Sequence, residues 1–113
     1  MITDQDLNSV LKRVIAHSRQ SFGGKLKEII LYGSYARGEQ ECDSDIDIMI
    51  LVDERSDKLG QHRRSLSQLT SSLDLEYGAM VSPLLKDSET FEFWKGVLPF
   101  YKSVDSEGKR IHV

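Results

Sequence analysis

The sequence predicts an α+β domain in which helices pack on a small mixed sheet. Three observations carry that prediction: a 3.6-residue apolar period near the start, short apolar runs bounded by turn residues around Ile29 and Ile46, and a second helical period between Asp57 and Ser72. Helices and strands that follow one another in this way bury one face of each against the other. At 113 residues the chain is sized for a single domain over residues 1–113. Such a chain buries roughly two-thirds of its unfolded surface, enough for a core without staples.

Each element has its own warrant. Thr3 or Asp4 caps a first helix whose Leu7, Val10, Leu11, Val14 and Ile15 keep the helical period, and Gly23-Gly24 ends it. Leu26 to Tyr32, centred on Ile29-Ile30-Leu31, reads as a buried strand, and a second strand runs from Asp45 to about Val52. Leu59, Leu66, Leu69 and Leu73 approximate helical spacing, with Arg63-Arg64 on the solvated side. A third strand is expected over Leu75 to Val81. Phe91, Phe93, Trp94, Phe100 and Tyr101 form an aromatic tail that closes the core, with part of it open to use as a partner surface. Strand directions stay open at this level.

Composition removes several function classes. Fifteen Lys and Arg against eighteen Asp and Glu leave a net charge of −3, which argues against affinity drawn from neutralising a phosphate backbone, so no strong nucleic-acid binding is expected. The apolar run Ile46–Val52, broken by Asp47, falls far short of the roughly 20 residues of a membrane helix. The opening MITDQDLNSV has neither a basic n-region nor an apolar h-region, so a cytoplasmic location is expected. Cys42 has no second cysteine to pair with and no basic neighbour, and His17, His62 and His112 show no metal-ligand spacing.

The chemistry lies in Leu31 to Val52, LYGSYARGEQECDSDIDIMILV. Gly33 followed by a helix start offers free backbone N–H groups and the positive end of the helix dipole to phosphate. Ser34 adds a hydroxyl, Arg37 a charged fork one turn later, and Ser44 is a further candidate at the entry to the second strand. Asp45 and Asp47, two apart in a strand, project from one face while Ile46, Ile48 and Ile50 turn to the core. Paired hard oxygen donors of this kind suit Mg²⁺ bridged to substrate phosphates. Two rival motifs fail on the same letters. Gly33 and Gly38 have Walker A spacing, but Glu39-Gln40 stand where Lys and Ser or Thr are required. The acidic residues from Asp43 fit an EF-hand loop except at Ile48, where glycine is needed.

Gly33-Ser34, ten residues, then Asp45-Ile46-Asp47 resembles the signature of the polymerase β-like nucleotidyltransferases. The small size and the string GSYARGE…SDIDIMI are similar to their minimal members, the MNT proteins, including MntA-type antitoxins encoded beside HEPN-domain toxins. The resemblance is strong over roughly residues 26 to 52, weaker through Val81 and thin beyond. It implies the nucleotidyltransferase fold and transfer of AMP from Mg²⁺-bound ATP to a hydroxyl, a tyrosine of the HEPN toxin for the MntA-like members. Asp45 and Asp47 would hold two Mg²⁺ ions that activate the hydroxyl and neutralise the departing pyrophosphate, while Gly33 and Ser34 fix the β- and γ-phosphates.

The family generally carries a third carboxylate on a later strand, and Gly78 stands at the expected place in the segment Leu75 to Val81. Glu76, on the same face of that expected strand, is the candidate substitute. The alternative is a nucleotide-binding pseudoenzyme that neutralises its partner by occlusion. A small-molecule nucleotidyltransferase would need an acceptor pocket that so short a chain does not supply.

Overall fold

The computed structural model describes residues 2–111 and 113; His112 lies outside the described residues. Its elements in chain order are α1 (Asp4–Phe22), β1 (Leu26–Tyr32), α2 (Ser34–Arg37), β2 (Ile46–Val52), α3 (Gly60–Tyr77), β3 (Val81–Asp87), α4 (Ser88–Trp94), α5 (Pro99–Glu107) and β4 (Lys109–Ile111). The sheet order is β3-β2-β1-β4, with β2 parallel to β3 and antiparallel to β1, and β4 antiparallel to β1 at the other edge. The expected α+β fold with a mixed sheet is therefore present. Among the described residues no helix is long and apolar enough to cross a membrane.

Alternation along β2 explains the layering. Ile46, Ile48, Ile50 and Val52 face one way and meet Val10 and Val14 of α1 and Leu66 and Leu73 of α3. Met49 and Leu51 face the other way, with Ile30 of β1, and are covered by Phe91 of α4 and Val104 of α5. Both faces of β2 are buried, so it reads as a nearly continuous apolar run. The second cluster is the smaller, and Phe91 is its fully buried aromatic. Phe91→Ala is expected to cost about 3–5 kcal/mol through lost transfer energy and the cavity left behind. Urea unfolding with an unchanged m-value checks it.

The expected first helix, both first strands and the Thr3 cap are in place, with Asp6 N–H donating to Thr3 Oγ1 at 3.0 Å. The expected third strand is corrected. α3 runs past Ser72 to Tyr77 and stops on Gly78, whose φ of 68° suits a left-handed helix cap and whose N–H reaches Asp74 O. The Asp74 carboxylate then accepts from Val81 N at 2.7 Å and turns the chain into β3, which begins where the expected strand ended. Leu75, 89% exposed, is an outward helix position.

The aromatic tail is also more ordered than expected. Asp87 caps α4 by accepting from Thr90 N at 2.9 Å, and Pro99 occupies the first turn of α5. Phe91 closes the core as expected, whereas Phe93 stays largely in solvent and Phe100 is partly exposed with its ring edge-on to Tyr32 and Tyr101.

Register fixes what flanks the acidic motif. Asp47 pairs with Tyr32 across the antiparallel side and with Ser82 across the parallel side. Pro83 pairs with Ile48 on the edge strand.

Candidate active site

The turn after β1 begins with Gly33 at φ 75° and ψ −154°, backbone open to glycine and strained for other residues. Its carbonyl accepts from Ala36 N at 3.1 Å and Arg37 N at 3.2 Å, which starts the single turn of α2 with Ser34 as first residue. Gly38, at φ 72°, ends that turn. A Cβ placed on Gly33 would overlap Asp47 Oδ2. The ten-residue separation thus has a geometric meaning. Antiparallel pairing of β2 on β1 folds the Asp47 carboxylate back onto the glycine at the head of α2.

Asp45 precedes β2 by one residue and is exposed; Asp47 is half-buried as its second residue. Spacing by two places both on the α4/α5 side of the sheet. Ser44 accepts from Glu41 N through Oγ at 2.8 Å, so its hydroxyl is engaged in the turn that leads to Asp45. Tyr32, Gly33, Arg37 and Asp47 form one wall of a cavity of about 240 Å³, and Phe100, Ser103, Val104 and Glu107 of α5 form the other. The Arg37 guanidinium lies 3.1 Å from Glu39 and 3.5 Å from Glu107. Such exposed pairs are weak and exchange readily for a phosphate.

Burial, and then the charge of Asp45, push the Asp47 carboxyl above its ordinary value, with Arg37 acting in the opposite direction. Burial and the Asp47 charge push the Tyr32 hydroxyl up to about 12, so it remains protonated at neutral pH. A carboxyl that binds its proton more tightly folded than unfolded removes stability as pH rises through its folded pKa. Asp47→Asn is therefore expected to melt above the parent protein at neutral pH, with the gap closing below the ordinary value of 3.8. Calorimetry across that range checks the sign.

The donor set defines what the site can hold. Among the described residues no third His, Cys, Asp or Glu joins Asp45 and Asp47 in a metal-binding group. Two carboxylates beside a phosphate-sized recess suit a divalent cation shared with substrate phosphates, not a closed protein cage. Glu76 is not part of this arrangement. It lies in the last turn of α3, exposed and ion-paired with Arg13 of α1, on helices that cover the opposite face of the sheet. Gly78 is a helix cap and does not occupy the strand position beside Asp47; Ser82 does. Glu76→Gln is expected to leave nucleotidyl transfer unchanged and to cost no more than about 1 kcal/mol. A transfer assay paired with a melting curve tests both.

A larger cleft of about 740 Å³ opens at the far end of β2 and β3. Asp53, Glu54, Asp57, Asp87 and Glu89 line it against Arg55, a wall that repels triphosphate. The smaller cavity beside Gly33 and Asp47 has the matching chemistry.

Comparison with known proteins gives a consistent grouping. The family model described as nucleotidyltransferase domain matches residues 11–109. The chain is 31% identical over 102 residues to a provisionally named protein adenylyltransferase of Methanocaldococcus jannaschii, covering 90% of this chain and 94% of that one. It is 39% identical over 54 residues to the protein adenylyltransferase MntA of Thermococcus cleftensis, covering 48% of this chain and 52% of that one. A crystal structure of a toxin–antitoxin with AMP-PNP superposes with a TM-score of 0.56 at 25% identity, over 88% of this chain and 69% of that one. A crystal structure of the MntA-HpeT toxin–antitoxin shares the fold at a TM-score of 0.55 and 24% identity, over 90% of this chain and 71% of that one.

Proposed function

Because the chain belongs to the nucleotidyltransferase domain family, we propose that it transfers AMP from Mg²⁺-bound ATP to a tyrosine hydroxyl of a HEPN-type toxin and thereby acts as its antitoxin. The observation that carries this reading is the contact between Gly33 and Asp47, which joins a phosphate-binding turn to a cation-binding carboxylate at one cavity wall. Names of relatives support the reaction class, and the likeness to a toxin–antitoxin with AMP-PNP supports a toxin partner and an adenine nucleotide.

The roles follow from position. The backbone at Gly33 and the Ser34 hydroxyl hold the β- and γ-phosphates, and Arg37 leaves Glu39 and Glu107 to add its charge. Asp45 and Asp47 would hold the cation, and its positive charge would favour the ionised form of both carboxylates. Ser44 keeps the approach to Asp45 in shape through its bond from Glu41 N. When bound, Mg²⁺ supplies charge neutralisation at the attacking and leaving oxygens. The acceptor oxygen bonds to the α-phosphorus, the bond to the bridging oxygen of pyrophosphate breaks, and the hydroxyl proton passes to solvent or buffer. In this reading the acceptor hydroxyl comes from a partner in trans, as the likeness to toxin–antitoxin structures supports.

The test is an incubation of the purified protein with the product of the adjacent gene, ATP and Mg²⁺, read by the partner's intact mass. Gains of whole AMP units that Asp45→Asn protein does not produce support the proposal. An unshifted partner held in a tight complex, with neutralisation that survives Asp45→Asn, favours occlusion without chemistry. The neutral Ser82 beside Asp47 is the observation on that second side.

A further inference from the structure

Six large apolar side chains stand in solvent among the described residues, and four of them, Phe93, Val97, Leu98 and Phe100, fall within residues 93–100. This is the corner where α4 passes into α5. Single exposed apolar side chains need no explanation, but a concentration of them marks a surface kept for a partner. The corner has a fixed shape. Val97 N and Leu98 N both donate to Trp94 O, at 2.9 and 3.0 Å, and the Phe93 and Trp94 rings meet edge to face with centroids 4.7 Å apart. At one end Phe93 and Trp94 run into the cleft of about 740 Å³. There Glu54 is held by Lys25 and Asp57 by Arg55, whereas Asp53 and Glu89 stand in no ion pair among the described residues. At the other end Phe100 belongs to the cavity wall that faces Gly33 and Asp47.

We propose that the 93–100 corner is the docking surface for the protein that brings the acceptor hydroxyl, and that this partner presents apolar side chains flanked by Lys or Arg. The inference rests on the nucleotidyltransferase reading above and states where that partner binds. Continuity selects the occupant: a protein seated on Val97 and Leu98 reaches Phe100 and, past it, the cavity beside Asp47. Charge selects its flanks. A Lys or Arg of the partner meets the free carboxylates of Asp53 and Glu89 and lies against the Phe93 and Trp94 rings. Aromatic anchors of this type carry most of the energy of an interface, while rim charges set selectivity and the rate of encounter. The same charges disfavour other occupants. Two copies joined patch to patch about a two-fold axis would bring like acids together, and an anionic lipid surface would meet acids on a chain of net charge −3.

The test is calorimetric titration with the product of the adjacent gene, on the parent protein and on the double variant Phe93→Ala/Val97→Ala. Both side chains are about two-thirds exposed, at 69% and 66%, so the fold survives their removal. The double variant is expected to bind the partner at least about tenfold more weakly, with its melting temperature and its AMP-PNP binding unchanged. Asp53→Asn/Glu89→Gln is expected to weaken binding severalfold and to flatten its dependence on salt. Leu75→Ala, which removes an equally exposed apolar side chain from α3, is expected to change nothing. A double variant that binds the partner as tightly as the parent overturns the proposal and leaves the proposed enzyme function intact. One that loses partner and AMP-PNP together overturns it too, because the corner then acts on the cavity. Sedimentation that shows the parent alone as a dimer, and the double variant as a monomer, gives the patch to a second copy and overturns it as well. A parent that does not bind the partner overturns the surface and the antitoxin reading together. Docking at the corner with no transfer of AMP supports the surface and overturns the reaction.

Discussion

Asp45→Asn and Asp47→Asn proteins are each expected to lose AMP transfer by about a thousandfold or more while remaining folded. In the proposed reaction the two carboxylates would present a cation to the phosphates, and an amide in either position would remove a charge that no other described acid replaces. The two variants differ in stability. Asp47 is half-buried beside Asp45, so its replacement relieves a cost in the empty protein, whereas exposed Asp45 is already solvated. Initial rates of partner modification, set beside melting curves of the same samples, separate lost chemistry from lost structure. Loss of both together would show that the acids hold the fold.

Gly33→Ala is the second substitution with a large expected effect, and it acts through shape. The backbone at φ 75° and ψ −154° costs an alanine roughly 1–3 kcal/mol. The added methyl must also displace the Asp47 carboxylate, because their positions overlap. Movement of that carboxylate by an ångström is enough to cost about a hundredfold in rate. We expect at least that loss in transfer, with weaker AMP-PNP binding and a melting temperature lowered by several degrees. Gly38→Ala is the control: it has the same positive φ, but its Cβ meets no atom within 4 Å. It should lose stability and keep most of its activity.

Much of this site was legible in the sequence because its signals are local and redundant. Asp45, Asp47, Gly33 and Ser34 flank two strongly apolar strands, and strand alternation alone puts the two acids on one face. The third strand was misplaced for an equally physical reason. Leu75 to Val81 holds apolar and aromatic residues that suit a strand, yet Asp74, Gly78 and Val81 together make a helix stop and exit turn. Gly78 was the available signal, since glycine after an apolar helical period marks a cap. The true strand, Val81–Asp87, carries Pro83 and Lys86 and looks unlike a strand until its place at the sheet edge is known. Placing Ser82 beside Asp47 therefore needed the register. Glu107 against Arg37 likewise depends on tertiary packing of α5, which no local pattern encodes.

The edge position of β3 bears on how the protein behaves at high concentration. Ile46 N donates to Met80 O at 2.8 Å, so the even-numbered residues of β3 direct their backbone groups toward β2 and the odd-numbered ones toward open solvent. Pro83 is odd-numbered, and the N–H it lacks is one that a second copy of the sheet would need to pair with this edge. A strand whose outward row is interrupted in this way is a poor template for self-association and fibre growth. The proline that disguised β3 in the sequence thus protects the flank of the sheet nearest the acidic motif from sticking to its own kind.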